Sequence, residues 1–403
     1  MSDTTNLLNS NNKNEPLIAS LNERFKQIFN LEAKRNFFSP GRINLIGEHI
    51  DYSGGNVFPS AITFGTYAVV RERNDRIVRL YSENFEAKGI IQVNLDTLVF
   101  DEKDDWANYP KGVLKMLLDA GYKLDNGFDA LFFGNIPNGA GLSSSASLEV
   151  LTGLIATTIN DVTIDMLDIV KLSQKAENEF VGVQCGIMDQ FAVGMAKKDS
   201  AMLLNTNTLE YSYVPVNLED NIIVIMNTNK RRGLADSAYN ERRTQCETAL
   251  KILQSVEHKE YLCDYSLEFL EENKSLLSDP LVYKRAHHAI TENERSLKAS
   301  KVLLENDLES FGLLMNQSHV SLRDDYDVTG IELDTIVEAA WDHPATIGAR
   351  VTGAGFGGCA IAIVNQDSVD DFIESVQSKY SKTIGYKADF YVASIGQGAH
   401  EII

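Results

Sequence analysis

The sequence predicts a mixed α+β fold in which strands and helices form two closely packed lobes. Strand-like and helical runs alternate through the first half, and a mostly helical, charged stretch covers residues 236–319. Two strand-like runs that flank a helix follow near the C-terminus. No linker rich in proline, glycine or serine separates the halves, so we expect lobes in close contact rather than independent domains.

Short runs of β-branched and aromatic residues predict the strands of the first half. The first run, residues 37–39, is followed by Pro40-Gly41, a pair typical of a turn. The other predicted strands are residues 62–70, 77–81, 90–95 and 128–133. Apolar residues at three- and four-residue steps predict helices at residues 112–120, from Ser143 onward, and at 164–180.

The second half has fewer strand signals. Residues 222–226, 361–364 and 390–393 predict strands, and residues 369–380 predict a helix. We place the division near residue 205, which gives an N-terminal lobe over residues 17–205 and a C-terminal lobe over 206–403. Residues 1–16 are rich in asparagine, serine and threonine, so they predict a mobile tail rather than a signal peptide.

The composition is that of an acidic globular protein. Of 403 residues 44% are apolar, and 37 Lys and Arg against 57 Asp and Glu give a net charge of -20. Such a surface disfavours nucleic acid and anionic membranes as partners. No apolar run reaches about 18 residues, and the four cysteines form no CxxC pair. We therefore expect a cytoplasmic, monomeric protein without a disulfide framework, a zinc site or a membrane span.

The most informative segment is the glycine- and serine-rich stretch from Pro137 to Ala146. Gly139 and Gly141 let the backbone approach a ligand closely, and three serines then open a helix whose N–H groups attract anions. Serine hydroxyls can also bind Mg2+, which a nucleotide site in so acidic a chain would need. No GKS or GKT follows, so this is not a Walker A loop. A plain turn with a serine N-cap is the alternative.

A second glycine cluster covers residues 352–358 and contains the pattern GxGxxG. A dinucleotide-binding fingerprint with this spacing requires a strand, then the loop, then a helix. Here the glycines run directly into residues 359–364, which read as a strand. We therefore expect a glycine loop packed against the phosphate site, or simply a tight turn.

Four ionisable residues follow Pro40, namely Arg42, Glu48, His49 and Asp51. The last three supply several hydrogen-bond acceptors and one donor at close range. This combination suits a polyol, because vicinal hydroxyls favour carboxylate partners. A salt-bridged surface turn is the alternative.

Asp189 lies among apolar neighbours in the segment Gly186 to Phe191, and Glu177 lies upstream on the preceding helix. A carboxylate in apolar surroundings is either paired with a cation or tuned as a base. A structural ion pair is the alternative for each of these two residues.

Together these segments resemble the galactokinase branch of the GHMP small-molecule kinase superfamily. Residues 41–52 (GRINLIGEHIDY) are similar to the galactokinase signature, 139–146 (GAGLSSSA) to the phosphate loop of the superfamily, and 352–358 (TGAGFGG) to its C-terminal glycine motif. Residues 185–191 and 324–326 also match the galactokinase pattern. The resemblance covers nearly the whole chain beyond the N-terminal tail.

The resemblance implies a two-lobed fold with the active site between the lobes, and transfer of the ATP γ-phosphoryl group to the C1 hydroxyl of galactose. It implies that Asp189 is the catalytic carboxylate, that Arg42 pairs with it, and that Ser145 and Glu177 hold Mg2+. The residues implied to bind the nucleotide are Ser82, Gly139, Ala140, Gly141, Leu142, Ser143, Ser144 and Ser145. Those implied to bind the sugar are Glu48, His49, Ile50, Asp51 and Tyr239.

Ile50 stands where the family usually has threonine, and we expect its side chain to point away from the sugar. The family also includes silent sugar sensors that lost residues of the serine loop, so the intact Ser145-Ala146 favours an enzyme. Two alternatives stay open: a kinase for a related sugar such as N-acetylgalactosamine or arabinose, and a non-catalytic regulator that binds galactose and ATP. The sequence also leaves open whether Asp189 is a true base or mainly orients the hydroxyl.

Overall fold

The computed structural model describes residues 14–137, 141–230 and 235–403. Residues 1–13 of the predicted tail lie outside this description, and residues 14–16 already belong to the first helix. Strands and helices are mixed throughout, so the predicted α+β class is confirmed.

Strands account for the three sheets. In chain order they are β1 Arg35–Asn44, β2 Asn56–Val57, β3 Pro59–Glu72, β4 Ile77–Ser82, β5 Ile91–Asn94, β6 Phe128–Gly134, β7 Ser200–Asn205, β8 Tyr211–Pro215, β9 Asn221–Asn227, β10 Thr346–Thr352, β11 Cys359–Asn365, β12 Asp389–Ala393 and β13 His400–Ile402.

The α-helices pack on both faces of the larger sheet and make up most of the second half. They are α1 Asn14–Phe29, α2 Asn108–Asp119, α3 Ser144–Ile159, α4 Met166–Lys175, α5 Met188–Met195, α6 Ala235–Gln254, α7 Leu267–Glu272, α8 Pro280–Leu304, α9 Leu308–Ser321, α10 Gly330–Trp341 and α11 Val369–Ile384. Two π-helical turns, Ala176–Val181 and Leu322–Tyr326, follow α4 and α9 directly.

The larger sheet has the strand order β13-β1-β3-β6-β4-β5, in which only the β4–β6 pair is parallel among the described strands. The second sheet, β10-β11-β9-β12, and the third, β2-β7-β8, are antiparallel. Because the C-terminal β13 pairs with β1, the end of the chain completes the sheet of the first half. The two halves are therefore joined by backbone as well as by side chains.

The predicted turn at Pro40-Gly41 is wrong, because β1 runs through this pair to Asn44. The strand instead changes register between Pro40 and Arg42, as at a β-bulge. Proline is tolerated at such an irregularity because one ladder hydrogen bond is missing there. A Cβ atom on Gly41 would lie 2.7 Å from the carbonyl oxygen of Leu142. Leu142 belongs to the segment 139–146, which resembles a phosphate loop and is called the phosphate-loop segment below. Glycine at position 41 therefore allows Leu142 to lie directly on the strand.

One hydrophobic cluster draws on both halves of the chain: it contains Ile43 and Phe58 as well as Ile223, Phe311 and Cys359. The predicted division near residue 205 falls at the end of β7, in the hairpin that continues with β8. All four cysteines are free thiols, and three of them are buried. Within the described parts of the chain, no helix has the length and apolar character needed to cross a bilayer.

A buried ion cluster joins the segment after β1 to the second half. The Arg350 guanidinium, on β10, forms an ion pair with Glu48 and lies 3.7 Å from a carboxylate oxygen of Glu292 on α8. All three side chains are almost completely buried. Glu292 also accepts from the Gly47 N–H at 2.9 Å and from the Ser318 hydroxyl at 2.5 Å. The cluster therefore holds the loop after β1 and fixes the position of Glu48, one of the predicted site residues.

We expect Arg350→Met to lower the free energy of unfolding by about 3–5 kcal/mol, because it leaves the buried Glu48 carboxylate without its cation. Glu292, by contrast, keeps Arg295 at 2.7 Å. Arg323→Met is the matched control, since Arg323 pairs with Asp324 and Glu338 at the surface. The control should change stability by less than about 1 kcal/mol. Urea unfolding followed by circular dichroism measures both, and equal losses would contradict a special role for the buried cluster.

Candidate active site

Arg42 connects the main predicted segments. Its Nε donates to Asp189 Oδ1 at 2.8 Å, its Nη2 to Asp189 Oδ2 at 2.8 Å, and its Nη1 to the Gly141 carbonyl at 2.7 Å. Arg42 is buried, whereas 30% of the Asp189 side chain is exposed to a cavity. Such a bidentate pair fixes the carboxylate in position while leaving part of it accessible to a ligand.

The serine-rich segment begins a helix, as predicted, with Ser144 as the first residue of α3. Ser143 precedes it in the left-handed region (φ 62°, ψ 47°), which is uncommon for a residue other than glycine. Its hydroxyl donates to Asp189 Oδ2 at 2.6 Å. Leu142 is buried in the core, and Ser144 is exposed at the helix start. Gly139 and Ala140 lie outside the described residues.

The helix start opens onto a cavity of about 200 Å3. Ser82, Ser144 and Ser145 line it, together with the aromatic rings of Trp106 and Tyr109. A partly apolar cavity next to free helix N–H groups can hold a planar base and its phosphates. This cavity therefore has the properties expected of a nucleotide site.

Glu177 and Ser145 lie together beside this cavity. Glu177 belongs to the π-helical turn after α4, a type of irregularity that is frequent at functional sites. Its carboxylate accepts a hydrogen bond from the Ser145 hydroxyl and one at 2.6 Å from Gln190 Nε2. Burial, followed by the charge of Asp189, raises the pKa of Glu177. A nearby cation would relieve this cost of ionisation.

Within the described residues, no group of three or more His, Cys, Asp or Glu side chains could hold a metal ion. Mg2+ bound to a nucleotide needs only one or two protein ligands, because phosphates and water complete its shell. Glu177 and Ser145 offer a carboxylate and a hydroxyl in contact with each other. The residues present therefore fit Mg2+ of this kind.

A second cavity, of about 400 Å3, is lined by Asp189. Its lining includes four of the five predicted sugar residues, Glu48, His49, Asp51 and Tyr239, together with the two predicted catalytic residues, Arg42 and Asp189. Glu177, Cys185 and Gly186 also line it. The segment after β1, the start of α5 and helix α6 thus bring the predicted residues to one cavity.

Asp51 presents a carboxylate to this cavity. Desolvation, followed by the charge of Asp189, raises its pKa to about 6, although backbone hydrogen bonds and Arg42 oppose the shift. A Cβ atom on Gly186 would lie 2.0 Å from Asp51 Oδ2, so only glycine leaves room for this carboxylate. Hydroxyl donors from a ligand would stabilise the ionised form of Asp51.

Glu48 is held from two sides. Its Oε1 accepts from the Gly353 N–H at 2.9 Å, and its other oxygen pairs with Arg350. Burial raises the pKa of Glu48 to about 7 despite the charge of Arg350. The second glycine cluster therefore positions a residue of the predicted sugar site.

His49 uses both ring nitrogens inside the protein. Nε2 lies 2.9 Å from the Ala354 carbonyl, which can only accept, so Nε2 carries the proton. Nδ1 then accepts from the Tyr52 hydroxyl at 2.9 Å, and that hydroxyl lies 2.8 Å from the hydroxyl of Tyr326. Burial lowers the pKa of His49 to about 4, which keeps the ring neutral. The side chain thus positions its loop, and neither nitrogen is free for a sugar hydroxyl.

Ile50 does not line either cavity described here, although it was predicted among the sugar-binding residues. Its side chain is completely buried in a hydrophobic cluster, as expected for a side chain that points away from the sugar. Tyr239 lies at the cavity, where its ring is 5.4 Å from that of His49 between centroids. Of these two predicted contacts, only Tyr239 has its side chain in place for a ligand.

The second glycine cluster packs against the phosphate-loop segment, as expected. A Cβ atom on Gly353 would lie 3.0 Å from the carbonyl oxygen of Gly141 and 3.8 Å from Arg42 Nη1. The glycines lead into β11 rather than a helix, which excludes the dinucleotide-binding fingerprint.

Several cavity and supporting residues were not predicted from the sequence. Trp106 and Tyr109 line the nucleotide-like cavity, and two aromatic residues in the otherwise polar run 101–109 were the available signal. Gln190 donates hydrogen bonds to Glu177 and Glu149, and Arg350 forms an ion pair with Glu48. Nothing in a local pattern marks Gln190, Glu149 or Arg350, because their partners are distant in sequence.

Comparison with known proteins agrees with this geometry. The galactokinase galactose-binding signature matches residues 23–72, the GHMP kinase N-terminal domain 108–197 and the GHMP kinase C-terminal domain 299–382. Among curated relatives, the galactokinase of Fusobacterium nucleatum subsp. nucleatum is 57% identical, over 96% of this chain and 100% of that protein. The galactokinase of Clostridium beijerinckii is 56% identical, over 95% of this chain and 98% of that protein.

Solved structures agree as well. Galactokinase of Lactococcus lactis in complex with galactose superimposes with a TM-score of 0.93 at 47% identity, over 96% of this chain and 100% of that chain. Mevalonate kinase of Methanococcus jannaschii shares the fold, with a TM-score of 0.64 at 18% identity over 90% of this chain and 99% of that chain. The two-lobed GHMP kinase fold is thus confirmed, and the chain belongs to the galactokinase family of GHMP kinases.

Proposed function

We propose that this chain transfers the γ-phosphoryl group of ATP to the C1 hydroxyl of galactose, giving galactose 1-phosphate and ADP. The observation that supports this best is the position of Asp189, which lines the second cavity and is bound by Arg42 and by Ser143, the residue directly before the two serines that line the first cavity. One cavity has the aromatic walls and helix start that suit a nucleotide, and the other has carboxylates that suit a sugar. A phosphoryl donor and an acceptor hydroxyl can therefore meet at one carboxylate.

In the proposed reaction the C1 hydroxyl oxygen attacks the γ-phosphorus, and the bond to the β–γ bridging oxygen breaks in line with it. The hydroxyl hydrogen points to Asp189, which orients the hydroxyl and accepts its proton. Arg42 holds Asp189 through two hydrogen bonds and places a positive charge beside the transferring group. No covalent intermediate on the protein is needed.

Ser145 and Glu177 are the proposed ligands of Mg2+, which would neutralise charge on the β- and γ-phosphates. The described part of the phosphate-loop segment, Gly141 to Ser145, would present backbone N–H groups to the triphosphate. Gly139 and Ala140 are proposed to extend this contact, on the basis of the family motif. ATP with Mg2+ is thus the proposed form of the nucleotide.

Galactose is the proposed sugar because the galactose-binding signature covers the segment that carries Glu48 and Asp51. Asp51 and Tyr239 are proposed to contact sugar hydroxyls directly. Glu48 contributes a carboxylate that is already held by Arg350, and His49 acts through the position of its loop. We also propose that the chain is cytoplasmic and monomeric, with lobes over residues 17–205 and 206–403.

We expect Asp189→Ala to lower kcat by about 10²–10⁴-fold, because the acceptor hydroxyl loses its orienting and proton-accepting group. ATP binding, measured by calorimetry, should stay close to that of the unaltered chain. Asp96→Ala removes another carboxylate paired with an arginine, Arg76, at the surface, and should leave kcat unchanged. Near-normal turnover of Asp189→Ala would contradict the assignment.

A panel of sugars separates the proposal from its alternatives. We expect galactose to give the highest kcat/KM for ADP release, above N-acetylgalactosamine and arabinose. A better rate with another sugar would make the chain a kinase for that sugar. Stabilisation by galactose and ATP in a thermal shift, without formation of a sugar phosphate, would instead support a non-catalytic regulator.

The pH dependence of the KM for galactose should show the protonation of Asp51. We expect the KM for galactose to rise as the pH falls through about 6, because the protonated carboxyl loses acceptor capacity. The folded-state pKa is raised, so the contribution of this group to stability falls as pH rises from about 4 to 6, and protonation of Asp51 does not itself destabilise the fold in acid. Asp51→Asn should have a high KM without this step near pH 6. An unchanged step in that variant would assign it to another group.

A further inference from the structure

Glu177 belongs to a buried group of three hydrogen-bonded side chains. The other two, Gln190 and Glu149, have no role in the proposed reaction. Gln190 Nε2 donates to Glu177 Oε2 at 2.6 Å and to Glu149 Oε2 at 2.9 Å. Gln190 and Glu149 are completely buried, and Glu177 is 6% exposed. Glu149 belongs to α3, Gln190 to α5 and Glu177 to the π-helical turn. One amide nitrogen therefore ties three elements together.

The amide of Gln190 has one favourable orientation. In the opposite orientation its Oε1 would face two carboxylate oxygens, with no hydrogen to share between acceptors. Without Glu149 the amide would keep Glu177 and a longer contact with Cys185 Sγ at 3.8 Å, whereas Glu149 adds a carboxylate acceptor on a different helix. Glu149 thus determines where the Gln190 amide points and, through it, where Glu177 Oε2 lies.

This arrangement costs stability. Within the described residues, Glu149 Oε1 and Gln190 Oε1 are buried without a hydrogen-bond partner. Burial raises the pKa of Glu149, and Glu177 raises it further. The nearest cation of the site, Arg42, is already bound to Asp189. A polar network that is only partly satisfied is a poor way to stabilise a core, so a functional reason is the better explanation.

We propose that Glu149 is a positioning residue that fixes the Gln190 amide and thereby aims Glu177 at the Ser145 hydroxyl, where the metal ion would bind. The inference rests on the proposed role of Glu177 as a Mg2+ ligand. Residues that orient a metal ligand change metal affinity by about 10–100-fold when they are removed. Glu149 lines neither cavity and reaches Glu177 by hydrogen bonds only through Gln190, and Glu149→Gln separates this positioning effect from the charge of Glu149.

The test measures binding of Mn2+, as a spectroscopic probe for Mg2+, to the full chain with ADP by electron paramagnetic resonance. We expect Glu149→Leu to weaken Mn2+ binding by about 10-fold or more. The KM for galactose should stay unchanged, and activity should recover at high Mg2+. Glu149→Gln keeps an acceptor oxygen for Gln190, so it should bind Mn2+ nearly as the unaltered chain does.

A double-mutant cycle tests the route of the effect. Gln190→Met has similar length but no donor, so it should weaken Mn2+ binding as Glu149→Leu does. The double variant should be no weaker than Gln190→Met alone, because Glu149 acts only through that amide. Thr152→Val, at another buried polar residue of α3, is the matched control and should bind Mn2+ normally.

Failure of the inference differs from failure of the proposed function. If Glu177→Gln leaves Mn2+ binding unchanged, Glu177 is not a metal ligand and the proposed function loses that part. If Glu177→Gln weakens binding while Glu149→Leu and Gln190→Met do not, the positioning role alone is wrong. Additive losses in the double variant, or equal losses in Thr152→Val, would also overturn it. Should Glu149→Leu fail to fold, Gln190→Met and Glu149→Gln carry the same test.

Discussion

The fork of hydrogen bonds from Arg42 is the interaction on which the site depends. Through its side chain it binds Asp189 at the start of α5 and the carbonyl of Gly141, and its backbone N–H donates to the Leu142 carbonyl at 3.1 Å. The bulge in β1, the phosphate-loop segment and α5 are therefore held in one register by one residue. An arginine suits this task because its planar guanidinium offers several donors in fixed directions. A lysine could not reach all these acceptors at once.

Among the described residues that line the second cavity, four carboxylates accompany Arg42. Glu177, Glu149 and Asp51 all have raised pKa values, and burial is the largest cause for each. Without ligands, such a site is a local loss of stability in a chain that already carries a net charge of -20. The same feature favours ligands that bring positive charge or hydroxyl donors. A site that is costly when empty thus gains most when metal and polyol are bound.

The sequence predicted the class of fold and most strands, because their apolar patterns are local. It also pointed to many of the residues that meet at the cavities, since these lie in compact motifs, but not to Trp106 and Tyr109. It failed at Pro40-Gly41, where contact with Leu142 and pairing with β3 override a local turn preference. It could not find Glu149 or Arg350, whose partners lie 41 residues and about 300 residues away along the chain. The sequence also could not show that a hydrogen bond to the Ala354 carbonyl uses His49 Nε2, because the two residues meet only in the folded chain.

Two separate buried networks support the residues around Asp189. In one, Arg350 and the Gly353 N–H hold Glu48, so the proposed sugar contacts depend on strands from the second half of the chain. In the other, Gln190 ties Glu177, the proposed Mg2+ ligand, to α3, which belongs to the first half. Distant, unconnected sites usually contribute independently to the free energy. A substitution in one network should therefore act on one ligand, which lets sugar preference change without disturbing the metal and nucleotide. Arg42 and Asp189 are where the two networks meet, and only there should a change affect both.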